Sequence, residues 1–161
     1  MSSSRSLIAT VDDTVIVKTA SLPISPTRAF DLFCREASLA AWLCHRAVVG
    51  AGVGGLYELF WDPADPENDS TIGCRITAYE PGRVLGFQWR SPRQFKSFAN
   101  AADPLTHVVV TLHATAEGTQ VTLVHTGWRS SDDWRQAAAW QDRAWDFAFA
   151  ALARHASQGA A

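Results

Sequence analysis

Thr106-His-Val-Val-Val-Thr-Leu-His-Ala-Thr-Ala-Glu-Gly-Thr-Gln-Val-Thr-Leu-Val-His-Thr126 holds two alternating runs broken by Glu117-Gly118. Alternation at every second residue marks a half-buried strand, and Glu-Gly between two such runs suits a two-residue type I′ or II′ turn. A turn centred there sets Val110 opposite His125, Leu112 opposite Leu123 and Ala114 opposite Val121. Directly opposed residues share a sheet face. Val108, Val110, Leu112, Val121, Leu123 and His125 therefore make one apolar face, with His107, Thr111, His113, Gln120 and Thr122 on the other. His125 is the polar residue on the apolar side.

Downstream, Ser131 to about His155 reads as one long helix, with Asp132 and Asp133 placed to complement its positive end. Trp134, Ala138, Trp145, Ala148, Phe149 and Leu152 form a broad apolar stripe. Trp140 and Phe147 sit at its margin, where they widen the contact or face a partner. Ser157–Ala161 reads as a frayed end. Upstream, Val84–Arg90 is a strand with Leu85, Phe87 and Trp89 on one face. The turn Glu80-Pro-Gly-Arg83 joins it to a strand over Thr71–Tyr79. Leu56–Trp61 alternates too, and its Tyr57 and Trp61 side is expected to face the helix. Thr14–Ile24 is the first strand. Ser25-Pro26 then starts a helix, a Ser cap followed by Pro at the first position. A second short helix runs from a Ser38 cap to about His45, carrying Leu39, Trp42 and Leu43.

Between these elements lie three irregular segments. Gly50, Gly52 and Gly55 match a dinucleotide fingerprint in spacing, but a strand follows where that fingerprint needs a helix. Tight turning or close backbone approach explains them. Asp62–Ser70 reads as a solvated hairpin loop and lacks the ligand ladder of a calcium loop. Ser91–Leu105 has no period; loops of that length commonly serve as lids, and Phe95 and Phe98 give this one something to pack with. The resulting order is strand, two short helices, five or six antiparallel strands and one long helix. It predicts an α+β domain, a curved antiparallel sheet wrapped on the C-terminal helix, with a core over about residues 14–155. Aromatic side chains from both layers are expected to line the gap between them.

Composition excludes several functions. The chain has 161 residues, enough for one core without staples, and a net charge of −2, which lacks the basic footprint of a nucleic-acid binder. No apolar run approaches the about 18 residues of a membrane span. Leu7-Ile-Ala9 is too short for a signal-peptide core, which reads as a cytoplasmic chain. Cys34, Cys44 and Cys74 show no paired spacing and read as buried, reduced thiols. His125 lies on the face opposite His107 and His113, so no metal site is expected, and no motif calls for a cofactor. Seven Trp and eight Phe exceed what a small core needs and point to a cavity or a sticky face.

The chain resembles the SRPBCC superfamily, the START-related helix-grip fold. More closely it resembles the bacterial group named after the activator of the heat-shock-protein-90 ATPase. The matching stretches are Pro26-Thr-Arg-Ala-Phe30, Ala41-Trp-Leu43, Val53-Gly-Gly-Leu-Tyr57, Gly73, Glu80-Pro-Gly-Arg-Val-Leu-Gly-Phe-Gln-Trp89, Val108-Val-Val-Thr-Leu112 and Gly118-Thr-Gln-Val-Thr-Leu-Val-His-Thr-Gly-Trp128. They occur in order over roughly residues 14–152. The resemblance implies the fold more than the activity, because the superfamily mixes lipid carriers, receptors, cyclases and co-chaperones.

Three functions follow as expectations. The first is a binding protein that holds a lipid, aromatic metabolite or polyketide-like compound between sheet and helix. Trp42, Tyr57, Trp61, Phe87, Trp89, Val110, Leu112, Leu123, His125, Trp145 and Phe149 would line the site, with Phe95 and Phe98 on the lid. Arg75 would orient the ligand if it points inward, as would Glu58 as its partner; the outward, solvated placement of both is the simpler one. The second is a stress-response co-chaperone contacting a chaperone partner through exposed Trp128, Trp140 or Phe147, as the resemblance implies. The third is a cyclase- or hydratase-type enzyme with His125 as general acid or base, the weaker reading. A homodimer through the sheet edge or the long helix is compatible with the order and has no support in the residues.

Overall fold

β-Branched and apolar residues alternate with polar ones from Ile16 onward, and the computed structural model, which describes residues 14–160, turns that alternation into a curved sheet. Leu7–Ala9, on which the cytoplasmic reading rests, lies outside the described residues, as does Ala161. The first strand, β1 (Ile16–Leu22), leads to α1 (Pro26–Cys34) and α2 (Glu36–Trp42). Then come β2 (Arg46–Val49), β3 (Tyr57–Phe60), β4 (Ile76–Glu80) and β5 (Val84–Gln88). A single turn, α3 (Lys96–Ala99), precedes β6 (His107–Thr115), β7 (Gly118–Thr126) and the 29-residue α4 (Asp132–Ala160).

Five strands form one antiparallel sheet in the order β1-β7-β6-β5-β4, and β2 pairs with β3. Bridges between Leu56 and Arg75 and between Phe60 and Ser70 tie that pair to the segment entering β4. The layers are those of a helix-grip fold: α4 crosses the sheet against β1, and α1 and α2 pack at one end. Lys18 of β1 fixes the helix on the strand, its Nζ 2.9 Å from Asp142 and 2.6 Å from Asp146, one turn apart on α4. Burial alone would lower the Lys18 pKa; the two aspartates outweigh it and hold the ammonium above its ordinary value.

Several expectations change in detail. In the central hairpin Val108, not Val110, opposes His125, and Val110 opposes Leu123. A slip of two residues preserves both faces, because side chains alternate with period two. The turn is Ala116-Glu117, and Gly118 is already in β7. There a Cβ would collide with the Leu22 carbonyl oxygen and crowd Ile24, so glycine is needed where β1 leaves the sheet. Thr119 joins His125 as a polar residue on the buried face, its hydroxyl donating to the Ile24 carbonyl at 2.7 Å. Helix α2 begins at Glu36 rather than Ser38, one residue after α1 ends, and the Glu36 carboxylate accepts from the Val49 amide instead of a Ser38 cap forming. β2, unread in the sequence, follows that helix directly. At the far end α4 runs on to Ala160 instead of fraying at Ser157, because Arg28 of α1 donates to the Gly159 carbonyl at 3.0 Å.

Gly50 and Gly55 lie back to back: a Cβ on either would come within about 3 Å of the other's backbone, which is the close approach expected of them. Replacing Gly118 with Ala tests the β1–β7 junction more severely. Gly118→Ala is expected to lower unfolding stability by at least ~2 kcal/mol in urea titration. A midpoint equal to wild type would contradict the close approach to Leu22.

Candidate functional site

The sheet's concave face and α4 meet over most of their length without a gap. Tyr57, Leu85, Phe87, Val108, Val110 and Leu123 are at most 1% exposed. Tyr57 stacks on Phe87 with centroids 4.0 Å apart and donates its hydroxyl to the Phe33 carbonyl at 2.6 Å. At one end the layers diverge and leave a half-open cleft of about 730 Å³. One wall is α4, where Trp140, Gln141 and Trp145 stand above a smooth run of Ala144, Ala148 and Ala151. The other wall is Trp89 and Arg90 at the end of β5, with Trp42 and Trp61 behind them.

Each of four wall tryptophans has its indole N–H held by the protein. Trp42 donates to the Leu32 carbonyl at 2.8 Å and Trp61 to the Leu43 carbonyl at 2.9 Å. Trp89 donates to Gln141 Oε1 at 3.2 Å, and Trp145 donates to His125 Nδ1 at 3.1 Å. Indole has a single donor and no acceptor, so these rings are fixed and turn only carbon surface to the cleft. Trp61 meets Trp89 edge-on at 5.9 Å, and Trp89 meets Trp145 at 5.0 Å.

Of the residues expected to line a ligand site, Trp42, Trp61, Trp89 and Trp145 come together in this cleft. Tyr57, Phe87, Val110, Leu112, Leu123 and Phe149 do not reach it; they are core beneath α1 and α4. His125 is fully buried behind Trp89 and Trp145, whose rings lie 5.9 and 6.3 Å from it. Because Trp145 can only donate, His125 Nδ1 accepts and its proton sits on Nε2, which donates to Thr106 Oγ1 at 3.0 Å. Both nitrogens are satisfied in the neutral ring, and burial, with a smaller push from His107, brings its pKa down to about 3. His125 itself is not among the residues that line the cleft.

The intervening loops are strapped together. Phe95 and Phe98 do not line the cleft but anchor their segment on α4, edge-on to Trp140 at 6.1 Å and Trp134 at 5.4 Å. Pro92 and Gln94 supply its contribution to the rim. Arg93 binds Asp69 through Nε at 2.9 Å with Asp65 at 3.8 Å, and Lys96 reaches Asn68 at 2.7 Å. The acidic loop is thus docked on the 91–105 segment rather than freely solvated. Ser91 and Asn100 close the segment's base with two reciprocal hydrogen bonds of 2.6 and 2.9 Å.

Other candidates fall elsewhere. Glu58 accepts from the Gly73 amide at 2.7 Å and Arg75 is exposed, donating to the Gly54 carbonyl at 3.1 Å. Trp128, expected on the surface, is buried: Gly127 at φ 93° turns the chain back so that its indole packs on His125 at 4.6 Å. Trp140 and the 80% exposed Phe147 border the cleft. Burial raises the thiols of Cys34 and Cys74 to about 12 and of Cys44 to about 11, leaving them protonated at neutral pH. Among the described residues no His, Cys, Asp and Glu side chains gather into a metal-holding group, and no helix is long and apolar enough to cross a membrane. Gln141, Arg90 and Arg143 line the cleft and were not singled out in the sequence. Gln141 had a signal: it is the polar residue at helical spacing between Ala138 and Trp145 on the buried stripe.

The His125 geometry fixes a pH dependence. Its folded pKa lies far below the unfolded value of about 6.5, so between about pH 6.5 and about pH 3 the unfolded chain binds the proton and the folded chain does not. Stability is whole above that window and falls as pH drops through it; His107, also lowered by burial, acts in the same direction. From about pH 7.5 to about pH 5 the His125 contribution is a loss of ~2 kcal/mol. Urea titrations at the two pH values should show that loss shrink in His125→Gln. An undiminished loss would contradict a neutral, buried imidazole.

The family model described as "Activator of Hsp90 ATPase homolog 1-like protein" matches residues 23–155. No curated protein matches the sequence. Among solved structures, protein MLL2253 of Mesorhizobium loti superposes with a TM-score of 0.70 at 20% identity, covering 88% of this chain and 95% of its own. The solution structure of the Aha1 dimer from Colwellia psychrerythraea gives 0.64 at 15% identity over 87% and 93%. DynU16, described as a putative protein in the dynemicin biosynthetic locus, gives 0.63 at 18% identity, covering 92% of this chain and 49% of its own. At these identities the likeness is one of fold.

Proposed function

The chain belongs to the Activator of Hsp90 ATPase homolog 1-like family, and on that premise we propose that it is a binding protein for a hydrophobic small molecule with a ring-shaped body. The observation that carries this reading is that four of the five cleft tryptophans have their N–H groups engaged within the protein. Their faces are pre-positioned for flat apolar surface, so little ordering is left to oppose binding. The volume of about 730 Å³ falls within the range of small-molecule sites. Hiding about 200 Å² of apolar ligand surface would contribute ~5 kcal/mol before the cost of association. DynU16 is described as a putative protein in a biosynthetic locus, which is in keeping with a role toward a small metabolite. In this reading His125 is a structural group that orients Trp145, and the protein acts without turnover, in the cytoplasm.

A second reading is a co-chaperone module that docks through α4, and Phe147 is the observation that favours it. A phenylalanine 80% exposed beside Trp140 is an unusual display on a helix. Association of two copies belongs to this reading, after the Colwellia dimer. Phe147 also borders the cleft, so its exposure serves the first reading equally well.

Quenching of tryptophan fluorescence by 9-anthracenemethanol tests the first reading. Wild type is expected to bind saturably. Ala148→Trp, which fills the cleft from the α4 side, should weaken binding by at least about tenfold while the far-ultraviolet circular dichroism stays that of the wild type. Absence of quenching, or equal affinity in the filled variant, would overturn it.

A further inference from the structure

The charges that reach the cleft are unbalanced. Three ionisable side chains contribute to its wall: Asp69, Arg90 and Arg143. Asp69 is neutralised, since its Oδ1 accepts from the Arg93 amide and its Oδ2 from Arg93 Nε, both at 2.9 Å. Arg90 is half-buried and, among the described residues, makes one side-chain hydrogen bond, from Nη1 to the Ile72 carbonyl at 2.8 Å. Arg143 stands exposed on α4 beside the cleft. Among the described residues neither arginine has a carboxylate partner, and Arg143 has no hydrogen bond at all. The remaining polar groups of the wall, such as Gln141 and Ser70, are neutral.

Two guanidinium groups thus stand over an apolar floor in a chain whose net charge is −2. Low-dielectric walls strengthen their field inside the cleft relative to open water. A half-buried guanidinium holding one neutral carbonyl keeps most of its five donors for another acceptor, and its planar fork matches a carboxylate. A purely apolar guest would leave Arg90 partly desolvated and uncompensated, which costs free energy. A guest with an acid group at its edge removes that cost while its rings cover the indoles.

From this we infer that the ligand is an organic anion: a ring-bodied carboxylic acid whose rings lie against the cleft tryptophans and whose carboxylate pairs with Arg90, with Arg143 adding attraction at the mouth. The inference rests on the binding reading above and narrows it to a chemical class.

Two probes with the same three rings separate the claims: 9-anthracenecarboxylate and 9-anthracenemethanol, titrated calorimetrically into the wild-type protein. The acid is expected to bind about tenfold more tightly than the alcohol, as a charge-assisted pair would give. That advantage should shrink in strong salt and narrow in Arg143→Gln, a change on an exposed helix face. In the double variant Arg90→Gln/Arg143→Gln the two probes should converge, with the alcohol titration reporting that the cleft is still formed. Equal affinities in wild type, or an advantage that survives in the double variant, would overturn the anion assignment and leave the binding reading standing. Failure of both probes to bind would overturn the two together.

Discussion

A buried indole N–H has to find an acceptor, and here that requirement joins the two layers of the protein. Trp145 on α4 reaches across to His125 on β7, and Trp89 beyond β5 reaches back to Gln141 on α4. The two bonds run in opposite directions between helix and sheet, so they fix both the height and the rotation of α4. Everything at the open end depends on them. They hold the imidazole neutral, because a proton on Nδ1 would face another donor, and they hold two indole faces toward the cleft. The cleft is therefore the place where the apolar layers are held apart by fixed rings rather than a void left by poor packing.

The loops around that end carry the same logic to the surface. Phe95 and Phe98 give the 91–105 segment an apolar foot on α4, and Arg93 with Lys96 ties it to the acidic loop. Exposed ion pairs contribute little one at a time. Their effect here is geometric: they bring Asp69 to the rim already neutralised, so Arg90 and Arg143 set the sign of the cleft.

The fold was legible because period-two alternation survives local error. A two-residue slip in the central hairpin left His125, Leu123 and Val110 on the buried face, and the register changed without moving a side chain across the sheet. β2 was not legible: Arg46-Ala-Val-Val49 is short, follows a helix at once and offers no alternation to read. The site was legible only where a large aromatic residue stood on a readable face, as with Trp89 and Trp145. Which aromatic residues seal the core and which border an opening depends on where two layers diverge, and pattern does not encode that; hence Tyr57, Phe87 and Phe149 lie in the core. His125 was read correctly as a polar residue facing inward, but the rings standing in front of it could not be seen along one strand. Arg90 and Arg143, which have no carboxylate partner among the described residues, were invisible for a related reason. A cation's partner is a property of the assembled surface, and only Gln141, breaking an apolar stripe, announced itself.

The contact from Arg28 to the Gly159 carbonyl has a mechanical consequence. Together with the Lys18 clamp it fastens α4 toward its C-terminus and at its middle, so the rod behaves as a beam rather than a hinged door. On the binding reading, a guest would exchange sideways through the standing aperture with the beam in place. The thickness of such a guest would be gauged by the methyl groups of Ala144, Ala148 and Ala151, and one enlarged residue along that rail would recalibrate which molecules pass.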